Sequence, residues 1–312
     1  MGKIYLIGIN APLIPDLAIV LKESGWDEVM GTDENLSAPN KERLEEAGVK
    51  YNTQWNAKHV SSDIDLVILA SHIQPNNVEL LQAEALKLQI ITIPEFVYNN
   101  IKAKTRLVVS GSKGKRSLLF IIIHVLKRQK IAFDYVISRP LPGIDRIVSF
   151  TKDSRIAVIE GDDLISAPIK KKHKLEFYRP HITLLPNVLW EVSEEYPTEE
   201  DYLKVFLNFI QTIERDGKLI YNEQDQVLKE LADKIREDVT AIPYTNHPYT
   251  EENGSFFLDS RFGKYLISTN DSFFLENLNG ARNACRQLGI SDKDFYTAIS
   301  EISQIYPLGQ NI

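Results

Sequence analysis

The sequence predicts an α/β protein built from two domains, each a parallel β-sheet covered by helices. Short apolar strands alternate with helical segments along most of the 312 residues. Most of these strands are rich in apolar residues, which is typical of parallel strands buried on both faces. In the middle of the chain a turn rich in glycine and lysine joins one strand to a helix, a pattern typical of phosphate-binding loops. We therefore expect a first, Rossmann-like sheet domain and a second α/β domain of the phosphate-loop type.

Composition and charge exclude several classes of protein. The chain is 43% hydrophobic and 25% charged, which is ordinary for a globular protein of two domains. Its formal charge of −7 disfavours a nucleic-acid binder, which needs a basic face. The single cysteine, Cys285, excludes an internal disulfide. With no signal-like start and no apolar run long enough for a membrane span, the sequence predicts a cytoplasmic protein that binds neither nucleic acid nor membrane.

The first hundred residues predict four strands and three helices. The strands are residues 3–9, 27–33, 64–71 and 90–93. The helices are residues 14–25, 40–48 and 76–89. Pro94 and the polar run "NNIKAK" then interrupt the alternation, which predicts that the first domain covers residues 1–100 and the second covers residues 101–312.

The second domain predicts a further set of strands and helices. Its strands begin at residue 106 and continue at residues 133–138, 155–161, 181–187 and 218–222. A helix is predicted over residues 198–217, with Thr198 as its N-cap and Gly217 at its end. The remaining elements are a helix at 225–235, a β-hairpin or meander within 243–269 and a helix at 275–288.

The segment "LVVSGSKGKRSLLFIII", residues 107–123, carries the strongest chemical signal. It fits the short phosphate-loop pattern G-[TS]-x-G-K-[ST]-[ST] except at one position. Backbone N–H groups of such a loop bind phosphate oxygens, and Lys115 would reach the β- and γ-phosphates. The alternative is a glycine- and lysine-rich turn without a ligand. The candidate nucleotide-binding residues in this loop are Gly111, Ser112, Lys113, Gly114, Lys115, Arg116 and Ser117.

The exception to the pattern is Arg116, which stands where a hydroxyl would bind magnesium. A guanidinium has no oxygen for a metal, although it could neutralise phosphate charge by itself. Ser117 lies one helix step further on, about 100° around the axis, and is the remaining hydroxyl candidate. The carboxylates of "VIEGDD" follow a buried strand, where Glu160 and Asp162 could hold Mg²⁺ against phosphates. The alternative for these carboxylates is a solvated acidic turn.

These segments together resemble the Mur ligase family, in particular the UDP-N-acetylmuramate–L-alanine ligases and the murein peptide ligases. "SGSKGKRS" is similar to the family's A-G-T-x-G-K-[TS]-[ST], and "IEGDD" is similar to V-E-A-D-E. "GTD" at the end of the second strand and "LLPNVLWEVSEEYPTEEDYLKVFLNFI" also follow the family. The resemblance implies a UDP-sugar-binding first domain and an ATP-binding second domain. The family's third domain, which brings the amine, would begin where "ISQIYPLGQNI" ends, so we expect it to be absent.

The sequence also departs from the family. "GINAPL" keeps only Gly8 of the family's G-x-G-G-x-G. Glu191 and Val192 occupy the positions of an Asp-His pair in the family. Phe273 and Phe274 occupy the positions of a later His-Asn pair in the family. Asn277 matches an asparagine of the family that follows this pair, which makes Asn277 a further nucleotide-binding candidate.

The candidate residues for a UDP-sugar follow three strands of the first domain. Asp33 ends the second strand, where acidic side chains of Rossmann-like sites accept hydrogen bonds from ribose. Trp55 stands where the family has histidine, and could stack on a base or simply pack. The full set of UDP-sugar candidates is Gly8, Asp33, Ser71 and His72. The expected partner is UDP-N-acetylmuramate or a related UDP-muramoyl compound.

Three functions are compatible with this sequence. The first is an ATP-dependent carboxylate–amine ligase of peptidoglycan synthesis, with Lys115 and Glu160 as catalytic residues and Mg²⁺ on Ser117, Glu160 and Asp162. The lost hydroxyl and imidazole predict that such a ligase is weak or inactive alone, and a separate chain could complete it. The second is a non-catalytic relative without cofactor that binds UDP-sugars or scaffolds wall synthesis. The third is a structural protein that binds no nucleotide.

Overall fold

The computed structural model describes residues 2–267 and 272–302, and the side chains of all of these except residues 272–274. The chain divides into two compact units. The first comprises Met1–Asn100, Arg146–Phe150 and Leu164–Tyr178. The second comprises Ile101–Asp145, Thr151–Asp163 and Arg179–Ile312. Two short segments that come after residue 100 thus belong to the first unit.

The first unit contains a five-stranded parallel sheet with strand order β3-β2-β1-β4-β5. Its strands are β1 (Lys3–Ile7), β2 (Glu28–Thr32), β3 (Lys50–Asn52), β4 (Leu66–Leu69) and β5 (Ile90–Thr92). Its helices are α1 (Ile14–Glu23), α2 (Ala38–Glu46), α3 (Val78–Ala85) and α4 (Ile93–Ile101), with a 3-10 turn at Ala57–His59. The predicted parallel α/β fold is therefore confirmed in this unit.

Two elements of the first unit differ from the prediction. The short strand β3 was not predicted, because its three residues include two polar side chains and no apolar run. The expectation that Pro94 interrupts the pattern is wrong, since α4 begins at Ile93 and continues through it. Proline is tolerated in the first helical turn, where its missing N–H has no partner to lose. Glu95 in the same turn accepts the Thr92 N–H at 2.7 Å.

The second unit contains six parallel strands in the order β12-β11-β10-β6-β9-β7. In chain order the elements are β6 (Thr105–Val109), α5 (Lys115–Arg128), β7 (Phe133–Val136), β8 (Val148–Ser149), β9 (Ile156–Glu160), α6 (Leu175–Tyr178), β10 (Ile182–Leu185), α7 (Glu199–Gln211), β11 (Lys218–Asn222), α8 (Gln226–Ala232) and β12 (Thr240–Tyr244). Of these, β8 and α6 lie in the segments that belong to the first unit.

A three-stranded antiparallel sheet and two helices complete the second unit. They are β13 (Tyr249–Glu252), β14 (Ser255–Ser260), β15 (Gly263–Ile267), α9 (Ser272–Gln287) and α10 (Asp292–Ser300). The predicted meander is confirmed, but Pro243 lies in β12, a parallel strand at the sheet edge, where proline is tolerated. Helix α10 was not predicted.

In the second unit, local sequence signals predict where helix α7 begins but not where it ends. Thr198 caps α7 as predicted, because its side chain accepts the Asp201 N–H at 3.2 Å. The helix nevertheless ends at Gln211, six residues before Gly217. Helix α5 is buried from Ser117 to Leu126, which explains the apolar run after the glycine loop. In the described part of the chain, no helix is long and apolar enough to cross a membrane.

Candidate nucleotide-binding sites

The glycine loop of the second unit lies between β6 and α5, at the carboxyl end of a strand flanked by β10 and β9. Gly111 and Gly114 have φ angles of +124° and +84°, which L-residues rarely adopt. A Cβ on Gly111 would lie 2.5 Å from the carbonyl oxygen of Asn187, and one on Gly114 would lie 2.8 Å from Nδ2 of Asn277. The loop therefore needs glycine at both positions for close packing as well as for backbone conformation.

Asn187, just after β10, braces this loop. Its carbonyl oxygen accepts the Ser112 N–H at 3.2 Å. Its side-chain Oδ1 accepts the Lys113 N–H at 2.8 Å, and its Nδ2 donates to the Lys113 carbonyl at 2.9 Å. Two N–H groups of the loop are thus used internally. The N–H groups at the start of α5 remain for a ligand, because a helix has no internal acceptors for them.

The hydroxyl of Ser112 is also part of the loop's internal support. It accepts the Leu189 N–H at 2.7 Å, and it lies 3.0 Å from both the Leu189 carbonyl and the Tyr202 hydroxyl. Burial raises the pKa of Tyr202 to about 12, so its hydroxyl stays protonated at neutral pH. The segment after β10 therefore holds the loop through Ser112 and Asn187 together.

Three cations lie in or next to this loop. Lys113 is exposed, and its Nζ lies 4.0 Å from Oε1 of Glu191. Lys115 is half-buried, and within residues 2–267 and 275–302 its side chain forms no hydrogen bond or ion pair. Arg116 donates from Nη2 to the Pro140 carbonyl at 3.0 Å, while its Nη1 is buried with no partner among the described residues. The charge of the loop is therefore strongly positive.

The carboxylates predicted to bind metal lie on the β9 side of the loop. Glu160 ends β9, and its Oε2 accepts the Ser138 N–H at 2.7 Å. Asp162 follows two residues later and is half-buried, as is Asp163, whose carbonyl accepts the Tyr196 hydroxyl at 2.6 Å. Ser117 is buried in the first turns of α5. The role of Ser117, Glu160 and Asp162 as metal ligands stays a prediction.

The donor set of this site does not fit a magnesium ion well. Phosphate loops give Mg²⁺ one hydroxyl oxygen from the residue after the lysine, and here that residue is Arg116, whose side chain offers only N–H donors. No group of three or more histidine, cysteine or acidic side chains in the described chain is arranged to hold a metal ion. The positive charge of the Arg116 guanidinium would also repel a divalent cation at this position.

Asn277 lies beneath the glycine loop in helix α9. It is buried, and its Oδ1 accepts the Tyr244 hydroxyl at 3.3 Å. This places Asn277 next to Gly114, as expected of a residue of this site, although its amide faces the loop backbone. The side chains of Phe273 and Phe274 lie outside the described part of the structure.

The UDP-sugar candidates of the first unit follow three adjacent strands. Gly8 follows β1, Asp33 follows β2, and Ser71 and His72 follow β4. Gly8 has a φ angle of +91°, and a Cβ there would lie 2.6 Å from the Cβ of Ala70. Nε2 of His72 lies 3.8 Å from Oδ2 of Asp33. The structure thus brings these residues to one edge of the sheet.

A cavity of about 360 Å³ opens beside this edge. Asp33, Trp55 and His72 line it, together with the start of α3. Asp33 is 4% exposed, and its two oxygens accept the N–H groups of Asn10 at 3.2 Å and Asn35 at 3.0 Å. Its carboxylate therefore shapes the cavity wall, with lone pairs left for a ligand.

The first turn of α1 differs from a diphosphate site. Rossmann-like folds bind diphosphate there through free N–H groups and glycines. Here Pro15 has no N–H, and the buried carboxylate of Asp16 occupies the positive end of the helix, paired with Arg43. The replaced glycines in "GINAPL" were visible in the sequence, but the role of Asp16 was missed. A diphosphate would gain little at this helix.

Sequence reasoning also missed Glu79 at this site. Glu79 is fully buried near the start of α3, and its Oε1 accepts the Asn56 N–H at 3.2 Å and the Nδ1 proton of His59 at 3.0 Å. These bonds hold the segment that follows Trp55. A glutamate within an otherwise ordinary helix gave no signal of this in the sequence.

Comparisons with known proteins give relatives of one kind. No protein-family model matches the chain. The UDP-N-acetylmuramate–L-alanine ligase of Desulforamulus reducens is 24% identical over 229 residues, which cover 73% of this chain and 48% of that protein. The corresponding ligase of Clostridium acetobutylicum is 26% identical over 256 residues, covering 81% and 53%. The chain spans about half the length of the curated relatives it matches.

Solved structures share the fold. A UDP-N-acetylmuramate:L-alanyl-gamma-D-glutamyl-meso-diaminopimelate ligase from Neisseria meningitides matches with a TM-score of 0.82 and 21% identity, over 96% of this chain and 98% of that one. A murein peptide ligase from Psychrobacter arcticus matches with a TM-score of 0.81 and 19% identity, over 96% and 68%. The chain is thus distantly similar in sequence to L-alanine-adding ligases of the Mur ligase family, and it shares the fold of the murein peptide ligases.

Proposed function

We propose that the chain is a nucleotide-binding protein of peptidoglycan metabolism that performs the ligation of its relatives slowly or not at all by itself. One observation carries this proposal. Asn187 braces the glycine loop, and the side chain of Lys115 is unpaired among the described residues, while Arg116 occupies the position of the metal-binding hydroxyl. The groups expected to bind phosphate are retained, while a group expected to hold the metal ion for phosphoryl transfer is replaced.

The expected loss of rate follows from the chemistry of phosphoryl transfer. The resemblance implies ATP and Mg²⁺ for the activation of a carboxylate, and such a reaction depends almost wholly on positioning and electrostatic stabilisation. One missing preorganised contact raises the barrier by about 3 kcal/mol. Here the hydroxyl at position 116 is replaced, and Val192, which is 75% exposed, stands where the resemblance places an imidazole.

The test is phosphate release from Mg-ATP in the presence of UDP-N-acetylmuramate and either L-alanine or the tripeptide L-alanyl-gamma-D-glutamyl-meso-diaminopimelate. We expect wild type and Lys115→Ala to release phosphate at the same background rate. The L-alanine ligase of Clostridium acetobutylicum, assayed in parallel, shows that the substrates are competent. Release by wild type clearly above the Lys115→Ala rate would establish the ligase instead. That second candidate is supported by the ammonium of Lys115, which has no partner in the described part of the chain, and by Glu160 at the strand end.

The first unit would supply recognition of a UDP-muramoyl compound. The cavity lined by Asp33, Trp55 and His72 supports this proposal, while Pro15 and Asp16 predict that the diphosphate adds little affinity. A thermal-shift experiment separates the contributions. A ligand at about 100 times its Kd stabilises a protein by about 2.7 kcal/mol. We expect uridine and UDP-N-acetylmuramate both to raise the Tm, and an unchanged Tm with both would refute this part of the proposal.

A further inference from the structure

We infer that the glycine loop binds the polyphosphate of a nucleotide without a divalent cation, with the Arg116 guanidinium supplying the charge that a metal supplies in related loops. The inference rests on the proposed nucleotide binding at this loop and concerns how the charge of the ligand is balanced there.

The first observation is the unfilled hydrogen-bonding capacity of Arg116. Nη2 donates to the Pro140 carbonyl at 3.0 Å, which fixes the plane of the guanidinium. Nη1 is buried and lacks a partner in the described residues. A buried donor without an acceptor is unfavourable, and a phosphate oxygen is the acceptor that a guanidinium binds best. An anchored guanidinium with one unpaired N–H donor is suited to bind an anion.

The second observation concerns Glu160, the carboxylate at the end of β9. Oε2 of Glu160 accepts the Ser138 N–H at 2.7 Å, two residues before the Pro140 carbonyl that Arg116 contacts. Arg116 and Glu160 therefore hold the same segment at two points. Among the described side chains they form no ion pair with each other. The positive charge of Arg116 is thus left for a ligand.

The third observation is the charge around the loop. Lys113, Lys115 and Arg116 lie within four residues, next to the positive end of a 14-residue helix. Their three positive charges and the partial positive charge of the helix end together offset most of the negative charge of a polyphosphate near neutral pH. A divalent cation at the usual position would lie beside the guanidinium and be repelled. The same reasoning applies to free tripolyphosphate, so the test includes it.

The experiment is calorimetric titration of ATP and of tripolyphosphate, at constant ionic strength, with either EDTA or Mg²⁺ in excess. For wild type we expect ATP to bind in EDTA, with a Kd within about threefold of that in Mg²⁺. Arg116→Thr restores the usual loop pattern, so it should bind ATP at least about tenfold more weakly in EDTA and recover affinity when Mg²⁺ is added. Tripolyphosphate binding as tightly as ATP would identify the anion itself as the ligand.

Each outcome decides a separate question. Wild type that binds ATP only with Mg²⁺ would overturn the inference and leave nucleotide binding intact. An Arg116→Thr variant with unchanged affinity in EDTA would overturn it as well. The absence of ATP binding in every condition would refute nucleotide binding at the loop, whereas UDP-N-acetylmuramate tests the first unit independently. Arg116→Gln, which keeps a polar side chain without charge, replaces Arg116→Thr if that variant melts early.

Discussion

Asn187 holds Lys113 through two hydrogen bonds, one in each direction. Oδ1 accepts the Lys113 N–H at 2.8 Å, and Nδ2 donates to the Lys113 carbonyl at 2.9 Å. An amide side chain suits both bonds, since it carries an acceptor and a donor side by side. The pair ties the end of β10 to the glycine loop after β6, so the conformation of the loop depends on the neighbouring strand.

Replacing Asn187 by leucine should weaken nucleotide binding through this pair. The variant keeps the approximate size of the side chain but loses both hydrogen bonds, so we expect about 1 kcal/mol less stability and about fivefold weaker ATP binding. Thermal unfolding and calorimetric titration measure the two effects. Asn208→Leu, on the exposed face of α7, is the matched control. Equal ATP affinity in both variants would show that the brace has no role in binding.

Two tryptophans should report separately on the two units. Trp55 lines the cavity beside Asp33, and Trp190 lies near the glycine loop, where its Nε1 donates to the Tyr196 carbonyl at 3.0 Å. Stacking or a change in burial alters the emission of indole. We expect UDP-N-acetylmuramate to change the fluorescence of wild type but not of Trp55→Phe, and ATP to change it in all but Trp190→Phe.

A control variant guards against a general effect of removing a tryptophan. Trp26→Phe should respond to both ligands as wild type does, because Trp26 lies beyond the end of α1 and lines neither site. If Trp55→Phe still responds fully to UDP-N-acetylmuramate, then Trp55 packs against the protein without touching the ligand.

Removing the buried carboxylate of Glu79 should loosen the cavity wall. Glu79→Ala leaves the Asn56 N–H and the His59 Nδ1 proton without their acceptor. Lost acceptors of this kind cost about 2–3 kcal/mol in stability. We expect a lower Tm together with weaker binding of UDP-N-acetylmuramate. Glu84→Ala, on the exposed side of the same helix, should change neither. A lower Tm with unchanged affinity would limit Glu79 to a structural role.

The parts of the fold that were predictable are those with a strong local signal. The strands β1, β4, β6 and β9 each contain a run of at least three buried residues, most of them apolar, because helices cover both faces of a parallel sheet. Helix α7 could be placed from its cap, Thr198. In contrast, β3 and β12 are edge strands that pair on one side only. The three residues of β3 are mostly polar, and β12 contains Pro243, so neither sequence gives such a signal.

The glycine loop of the candidate site could be predicted from the sequence, but the residues that hold the site through hydrogen bonds could not. The glycine loop and its lysine follow from residue types at fixed spacing, so the sequence alone locates them. Asn187 and Glu79 act on residues 74 and 20–23 positions away in the chain, respectively. Their roles depend on which strands lie side by side, and a single sequence does not contain that information. The same is true of the contact between Arg116 and the Pro140 carbonyl.

A hydrogen bond joins His124 in α5 to α10. His124 is 6% exposed, and its Nε2 lies 2.8 Å from the Ala298 carbonyl, which can only accept, so Nε2 carries the proton. Burial lowers the pKa of His124 below its usual 6.5, and it does the same to the pKa of His181 and of His247. Each of these imidazoles is therefore neutral in the folded protein at neutral pH.

The sign of the resulting pH dependence follows from proton uptake. Below about pH 6.5 the unfolded chain protonates these histidines while the folded chain does not, so the free energy of unfolding falls as the pH is lowered through that range. We expect His124→Gln, whose amide can still donate to the Ala298 carbonyl, to lose less stability than wild type between about pH 7.5 and about pH 5.5. Urea unfolding at both pH values measures the difference. His181 and His247 should leave a residual decrease in the variant. An identical decrease in wild type and His124→Gln would mean that His124 has the same pKa in the folded and unfolded chain.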